Sequence, residues 1–181
     1  MKPKQNYKAG PMDRCQTPDY ALTPLLKFLP WPCLVWESAA GEGWLVKALK
    51  DHYFKVYATE IDTGVDFFNQ TIPLGDIQVT NPPYGNKFKW LEHSYDLEIP
   101  FALLLPVETL GAQKAQTLFE KYGIEVLVLD KRIDFKMPSK GWKGQAQFPV
   151  AWFCWGLRLG QSIRYGHVDQ TAKGRWKKDH V

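Results

Sequence analysis

Short apolar runs alternate along this chain with segments of helical periodicity, and this alternation limits the fold more than any other feature. The runs span residues 33–37, 54–60, 76–80, 101–105, 125–129 and 150–155. The helical patterns span residues 18–28, 44–53, 88–97 and 109–122. Alternation of this kind is typical of βαβ units built around a parallel sheet. In such sheets the ligand lies at the carboxyl ends of the strands, so the residues just after each run are the candidates for function.

The second apolar run lacks the helix that should follow it. Only Thr63 and Gly64 separate Glu60-Ile61-Asp62 from the next apolar piece, at residues 65–68. A parallel crossover needs about a dozen residues, usually a helix. We therefore predict an α/β, Rossmann-like, doubly wound and mostly parallel sheet of about six to seven strands, with one edge trimmed where the helix after the second strand is missing.

Composition narrows the class of protein. A chain of 181 residues with 45% hydrophobic and 23% charged residues is typical of one globular domain. The polar first ten residues lack the apolar core of a signal peptide, and no apolar run is long enough to span a membrane. Three widely spaced cysteines and four scattered histidines argue against a disulfide framework or a metal site. We expect a cytoplasmic protein with no metal and no membrane partner.

The basic residues are unevenly placed. The formal charge is +4, a modest excess that suggests a polyanionic partner. The basic excess lies in residues 1–14, 131–147 and 160–181, which leaves the rest of the chain acidic. We expect a basic N-terminal arm over residues 1–14, a catalytic domain over residues 15–159 and a basic tail over residues 160–181, with no room for a separate target-recognition domain.

The first strand leads into a glycine turn. Glu37 ends the strand, Gly41 and Gly43 follow, and a helical pattern begins at Trp44. Glycines here let the backbone approach a ligand closely. The dinucleotide fingerprint would need a third glycine where Val46 stands, and a carboxylate repels phosphate and attracts a cation. The pattern indicates a site for a ligand that carries a cation, although a simple tight turn would also explain the glycines.

The end of the second strand carries a candidate site for a nucleoside. Glu60 can accept both hydroxyl protons of a ribose diol, and Ile61 can lie against an adenine face. Asp66 can accept from an exocyclic amine, and Phe67 offers a ring for stacking. An exposed turn with ordinary charges is the alternative.

The apolar run at residues 76–80 is followed directly by Asn81-Pro82-Pro83-Tyr84. The two prolines forbid helix and hold Asn81 extended at the strand tip, and Tyr84 follows as a flat platform. The Asn81 side-chain oxygen and the Pro82 carbonyl suit the two N–H groups of an amine conjugated to a ring. These bonds strengthen as charge builds on the attacking nitrogen. Alternatively, the four residues form only a turn.

In order and spacing, these motifs resemble the class I S-adenosylmethionine-dependent methyltransferases. The motifs are Glu37-x-x-x-Gly41-x-Gly43, Glu60-Ile61-Asp62, Asp66-Phe67-Phe68 and Asn81-Pro82-Pro83-Tyr84. The last is similar to the motif of adenine-N6 DNA methyltransferases, and the short stand-alone chain resembles the phage-encoded members. Residues 16–19, before an apolar segment, are similar to the family segment that contacts the methionine end of the cofactor. The resemblance covers roughly residues 14–156.

The resemblance implies a role for each matched position. Thr17 and Glu37 would serve the methionine moiety of S-adenosyl-L-methionine, backed by the turn. Glu60 would take the ribose, Ile61 and Phe67 would sandwich the cofactor adenine, and Asp66 would accept from its amine. Asn81, Pro82, Pro83 and Tyr84 would hold the target adenine, with Asn81 also near the cofactor. The turn residues assigned to the cofactor are Ala39, Gly41 and Gly43.

The acceptor is expected to be adenine in DNA, either flipped from a duplex or single-stranded. Five basic residues of the connection at residues 131–147 surround Phe135 and Trp142. We expect this loop to bind nucleic acid, with Lys140 and Lys143 at its centre, and Phe135 or Trp142 to stack on or near the flipped base. A solvated loop with an aromatic anchor is the alternative. A second subunit forming a homodimer could help to read the target.

Three other acceptors or functions stay open. Adenine in RNA would use the same chemistry, and a glutamine side-chain amide of a protein suits the same turn. The basic loop and tail favour nucleic acid over protein. A catalytically silent nucleic-acid-binding module is the remaining alternative, although the presence of Glu37, Asn81 and Tyr84 counts against it.

Overall fold

The protein is described here from a computed structural model, over residues 15–135 and 148–168. Ten regular elements follow one another along the chain, with short 3-10 helices between several of them. They are β1 (Leu34–Glu37), α1 (Trp44–Asp51), β2 (Lys55–Ala58), β3 (Ile77–Thr80), α2 (Lys87–Asp96), β4 (Phe101–Pro106), α3 (Gln113–Tyr122), β5 (Glu125–Leu129), β6 (Val150–Trp155) and β7 (Ile163–Gly166). No helix of these two stretches is long and apolar enough to cross a membrane.

The strands form one mixed sheet in the order β2-β1-β3-β4-β6-β5-β7. All neighbouring pairs are parallel except those of β6, which runs antiparallel between β4 and β5. The strand order reverses at β1, since the chain moves from β1 outward to β2 and then returns to the other side of β1 at β3. This is the place where α/β sheets bind ligands. The predicted α/β, mostly parallel, doubly wound sheet is therefore confirmed.

Both faces of the sheet are covered, as the continuous burial of the central strands requires. One face packs against α1 and the segment of residues 15–29, in a core that includes Leu22, Leu49 and Trp152. The other face packs against α2 and α3 through residues such as Leu91 and Phe153. Neighbouring residues of β6 point to opposite faces, because side chains alternate along a strand.

The trimmed edge is confirmed. Between β2 and β3 the chain forms only two 3-10 helices, Ile61–Thr63 and Phe67–Asn69, and β2 is left as an edge strand. A cluster of buried aromatic rings fills the space on the α2–α3 face. The ring of Phe67 lies parallel to that of Trp90, with their centroids 4.0 Å apart. The ring of Trp36 also packs against Phe67, at a centroid distance of 5.5 Å.

The helix predicted over residues 18–28 is wrong. The chain there forms two 3-10 helices, Asp19–Ala21 and Leu26–Phe28. Pro24 lies in the middle of this segment and has no N–H to donate to a helical hydrogen bond. The segment is held by tertiary contacts instead, including a bond from the indole nitrogen of Trp152 to the Ala21 carbonyl at 2.8 Å.

The boundary expected at residue 160 also needs correction. Ile163–Gly166 forms β7, which pairs in parallel with β5 and belongs to the sheet. This strand has only four residues and pairs on one side, so Ile163 and Tyr165 remain exposed. A short, half-exposed strand of this kind leaves only a weak apolar pattern in the sequence. Residues 1–14 and 169–181, expected as arm and tail, lie outside the described residues.

Candidate functional site

The candidate site lies at the carboxyl ends of β1, β2 and β3, beside the reversal of strand order. Each of these strands ends in a polar residue or turn that the sequence motifs had identified. Parallel strands bring their carboxyl ends to one edge, so the fold places these residues together.

Glu37 ends β1 and is almost fully buried, with 1% of its surface exposed. Its Oε1 accepts from the Ala39 N–H at 3.0 Å and from the Thr80 hydroxyl of β3. Burial raises the pKa of this carboxyl to about 8. The two hydrogen bonds lower it, and the nearby charge of Glu60 raises it further. Both bonds use Oε1, so Oε2 has capacity for a donor, and a cationic donor would favour the charged form of the carboxyl.

The turn after β1 depends on Gly41. Its φ of +53° lies in the left-handed region, and a Cβ at this position would stand 2.7 Å from the side-chain nitrogen of Gln16. The same Gln16 side chain accepts from the Glu42 N–H at 3.1 Å. The segment before the first 3-10 helix therefore closes over the turn, and it carries Thr17, which is 4% exposed. Gly43, with φ of +83°, is the N-cap residue of α1.

Glu60 links the ends of β1 and β2. One carboxylate oxygen accepts from the Gly41 N–H at 2.6 Å and the other from the Ile61 N–H at 2.9 Å. The Glu60 carboxylate therefore lies next to the glycine turn. A ligand bound on this turn would place a diol within its reach. Ile61 next to it is 49% exposed and offers an open apolar surface.

Asp66 and Phe67 have different structural roles, one in a turn and one in the core. The Asp66 carboxylate accepts from the Phe68 N–H at 3.0 Å and orders the turn. Phe67 is only 3% exposed, and one face of its ring is covered by Trp90. Phe67 is therefore a member of the aromatic core cluster, and Ile61 is the apolar side chain that the structure leaves open on this side of the site.

The turn after β3 carries two buried polar atoms that no described residue satisfies. These are Oδ1 of Asn81 and the hydroxyl oxygen of Tyr84. Pro82 between them is buried. Buried polar groups are nearly always hydrogen-bonded, so the unmatched acceptor at this strand tip has capacity for a donor group of a ligand. Burial raises the pKa of the Tyr84 phenol well above its ordinary value, and Cys15 adds to this electrostatically.

Sequence reasoning missed Phe148. Its ring meets that of Tyr84 at 5.8 Å and an angle of 63°. Phe148 stands two residues before β6, and because β6 is antiparallel, its amino end lies at the same edge as the carboxyl ends of the parallel strands. The reversed direction of β6 was the information needed to find this residue, and the apolar run at residues 150–155 does not contain it.

The predicted nucleic-acid loop can be located only in part. Phe135 is 7% exposed and belongs to the core on the α1 face, so its ring is not available to stack on a base as expected. It anchors the end of the segment that follows β5. Lys140, Trp142 and Lys143 lie outside the described residues. Their expected contact with nucleic acid stays a prediction.

Several solved structures resemble this chain, and they carry names of methyl-transfer enzymes. A ribosomal protein L11 methylase from Lactobacillus delbrueckii subsp. bulgaricus is 11% identical, with 75% of this chain and 76% of that chain covered at a TM-score of 0.49. A precorrin-6y C5,15-methyltransferase from Geobacter metallireducens is 16% identical, with 75% of this chain and 85% of that chain covered at a TM-score of 0.42. A predicted O-methyltransferase from Agrobacterium tumefaciens is 12% identical, with 83% of this chain and 84% of that chain covered at a TM-score of 0.43.

No family model matches the chain, and neither does any curated protein. With TM-scores below 0.5, the likenesses to solved structures do not identify a substrate. The order and direction of the strands define the fold class, and the residues at the strand ends define the chemistry.

Proposed function

We propose that this protein is an S-adenosyl-L-methionine-dependent methyltransferase that modifies the exocyclic N6 amine of adenine in DNA. The observation that carries the proposal is the buried, unmatched Oδ1 of Asn81, held by two prolines at the tip of β3 beside Tyr84. An acceptor fixed in this way suits an N–H group of a flat amine. The adjoining residues of β1 and β2 suit the methyl donor.

The side chains at the ends of β1 and β2 fit the proposed cofactor. Glu37 would hold its ammonium, since the carboxyl is buried and both of its hydrogen bonds reach the same oxygen. A Cβ at Gly41 would press on the Gln16 side chain, and Glu60 lies across this turn where it would receive ribose hydroxyls. Ile61 would cover one adenine face. When bound, S-adenosylmethionine supplies an electrophilic methyl group carried on a sulfonium.

Asn81 and Pro82 would activate the acceptor amine. The lone pair of an exocyclic amine is delocalised into the purine ring, which makes the nitrogen a poor nucleophile. Acceptance of both N–H hydrogens by the Asn81 side chain and the Pro82 carbonyl favours a pyramidal nitrogen with a localised lone pair. Positive charge grows on this nitrogen only during attack, so these bonds stabilise the transition state more than the ground state.

Tyr84 and Phe148 would hold the purine ring. The two rings meet at an angle of 63°, so one can stack on a base while the other meets its edge. A base inside a duplex hides its amine, and the acceptor must therefore be flipped or single-stranded. A fixed ring orientation also aligns the amine for in-line attack.

Transfer of labelled methyl from S-adenosylmethionine to unmodified DNA, RNA and protein, run in parallel, tests the proposal. We expect label in adenine of DNA. Asn81→Ala should lower transfer by roughly a hundredfold or more and leave cofactor binding nearly unchanged. Asn69→Ala, at an exposed asparagine of the 3-10 helix Phe67–Asn69, is the matched control and should retain full activity.

The outcomes separate the alternatives. Label in RNA adenine or in protein glutamine would keep the cofactor assignment and overturn the acceptor. Cofactor binding with no transfer to any acceptor would favour a silent binding module. Full transfer by Asn81→Ala would overturn the role of the Asn81 side chain.

A further inference from the structure

The two sides of the functional edge of the sheet differ in their excess charge. The segments after β1 and β2 carry Glu37, Glu42, Glu60, Asp62 and Asp66, and Lys47 in the first turn of α1 pairs with Asp51. The segments after β3, β4 and β5 carry more basic than acidic groups. The basic groups are Lys87, Lys89, Lys114, Lys131 and Arg132, and the acidic groups are Glu108, Asp130 and Asp134. The change of sign falls at the Asn81 turn, between the two halves of the site.

The basic half is built on two adjacent helices. α2 begins three residues after Tyr84, and α3 begins after the 3-10 helix that follows β4. Both helices start at the functional edge and run side by side, as the parallel stacking of Tyr95 on Tyr122 at 4.6 Å near their far ends shows. The lysines of their first turns therefore lie on two neighbouring helix starts at the functional edge.

One of these lysines is fixed and two are available. The Lys87 ammonium lies 3.8 Å from Glu108, and its side chain is only 19% exposed. It also lies over the Phe88 ring at 5.2 Å. Lys89 and Lys114 are exposed, and neither makes an ion pair with any residue in the described stretches. Their charge is therefore directed to solvent.

Helix stability does not account for this placement. The first turns of α2 and α3 contain no acidic residue, and neither helix has a side-chain cap. Positive charge at a helix start opposes the helix dipole, where Asp or Glu would stabilise. An anionic ligand would compensate the unfavourable position of these lysines at the edge that carries the Asn81 turn.

We propose that Lys89 and Lys114, beside the ion-paired Lys87, form a phosphate-binding rim that holds the backbone of the polynucleotide whose adenine enters the Asn81 site. The inference rests on the proposed function and adds residues outside the motifs. Lys131 and Arg132 after β5 extend the rim toward Phe148. A polyanion would lie along the basic half and be repelled by the acidic half, which fixes the side from which a nucleotide reaches Tyr84.

Binding of a fluorescent single-stranded adenine-containing DNA 20-mer to the full chain without cofactor tests the rim. Lys89→Ala combined with Lys114→Ala should weaken binding, and the slope of log affinity against log salt should become shallower by about 1.4, since each lost phosphate contact on a single strand removes about 0.7. Lys50→Ala combined with Lys55→Ala is the matched control. It removes two exposed lysines at the opposite edge of the sheet and should leave the slope unchanged.

Three outcomes would overturn the rim: an unchanged slope in the Lys89 and Lys114 variant, an equal loss in the control, or no binding of the DNA by the unaltered protein at low salt. Methyl transfer is assayed separately on the same proteins. Label in DNA together with an unchanged slope would refute the rim alone. A shallower slope with no transfer to DNA would refute the proposed reaction alone.

Discussion

Replacing Glu37 by glutamine should stabilise the protein at alkaline pH while abolishing cofactor binding. The carboxyl is 1% exposed, and burial raises its pKa from 4.5 to about 8. Folding therefore favours the protonated form. A glutamine keeps the acceptor for the Ala39 N–H and the Thr80 hydroxyl and is neutral at every pH, so it removes the cost of a buried charge.

The size of the effect follows from proton linkage. A group whose pKa is higher in the folded state contributes stability that is present below pH 4.5 and lost as pH rises through about 8. Between pH 6 and pH 9, the wild-type chain should lose roughly 2–3 kcal/mol of unfolding free energy through Glu37 alone. Glu37→Gln should lack this loss.

Urea unfolding at pH 6 and pH 9, followed by fluorescence of buried tryptophans such as Trp36 and Trp152, measures the effect. Glu42→Gln is the control, because that glutamate is exposed in the same turn. If wild type and Glu37→Gln change in parallel between the two pH values, burial does not oppose ionisation of Glu37. Cofactor binding by Glu37→Gln at wild-type affinity would contradict the assignment of this group to the ammonium.

Three further substitutions test the packing around the site. Gly41→Ala should destabilise the fold by about 1–3 kcal/mol, because φ is +53° and the new methyl group would meet Gln16, and urea unfolding would show it. Trp90→Ala should cost about 3–5 kcal/mol, since it removes the ring stacked on Phe67, and a change below about 1 kcal/mol would show that the cluster is not packed as described. Tyr84→Phe should leave thermal stability unchanged or slightly higher, because it deletes a buried hydroxyl without a partner among the described residues, and a clear loss would reveal a partner.

The sequence predicted the elements whose patterns were strong and local. The apolar runs ending at Glu37 and Thr80 became adjacent parallel strands, and the helix starting at Trp44 formed as expected. The trimmed edge followed from the short connection after Asp62, since no crossover helix could fit there. These inferences used only spacing and periodicity, which act over a few residues.

The rest depended on contacts between distant parts of the chain. The burial of Phe67 against Trp90 could not be read from an aromatic residue in a turn motif. Phe148 reached the site only because β6 runs antiparallel, and strand direction is set by the whole sheet. In the sequence, Lys89 and Lys114 cannot be distinguished from other surface lysines. Only the fold shows that their two helices lie side by side and start at one edge of the sheet.

The trimmed edge also divides the site by local stability. β2 pairs only with β1, and the segment that follows it is held by 3-10 turns and by the anchor of Phe67. Segments with few buried contacts open at a lower free energy than the core. Amide hydrogen exchange should therefore be faster at residues 55–66 than in β4 and β6, which lie inside the sheet. Glu60 could then move away from Gly41 and return without unfolding the Asn81 turn, so the two halves of the site would exchange their ligands independently.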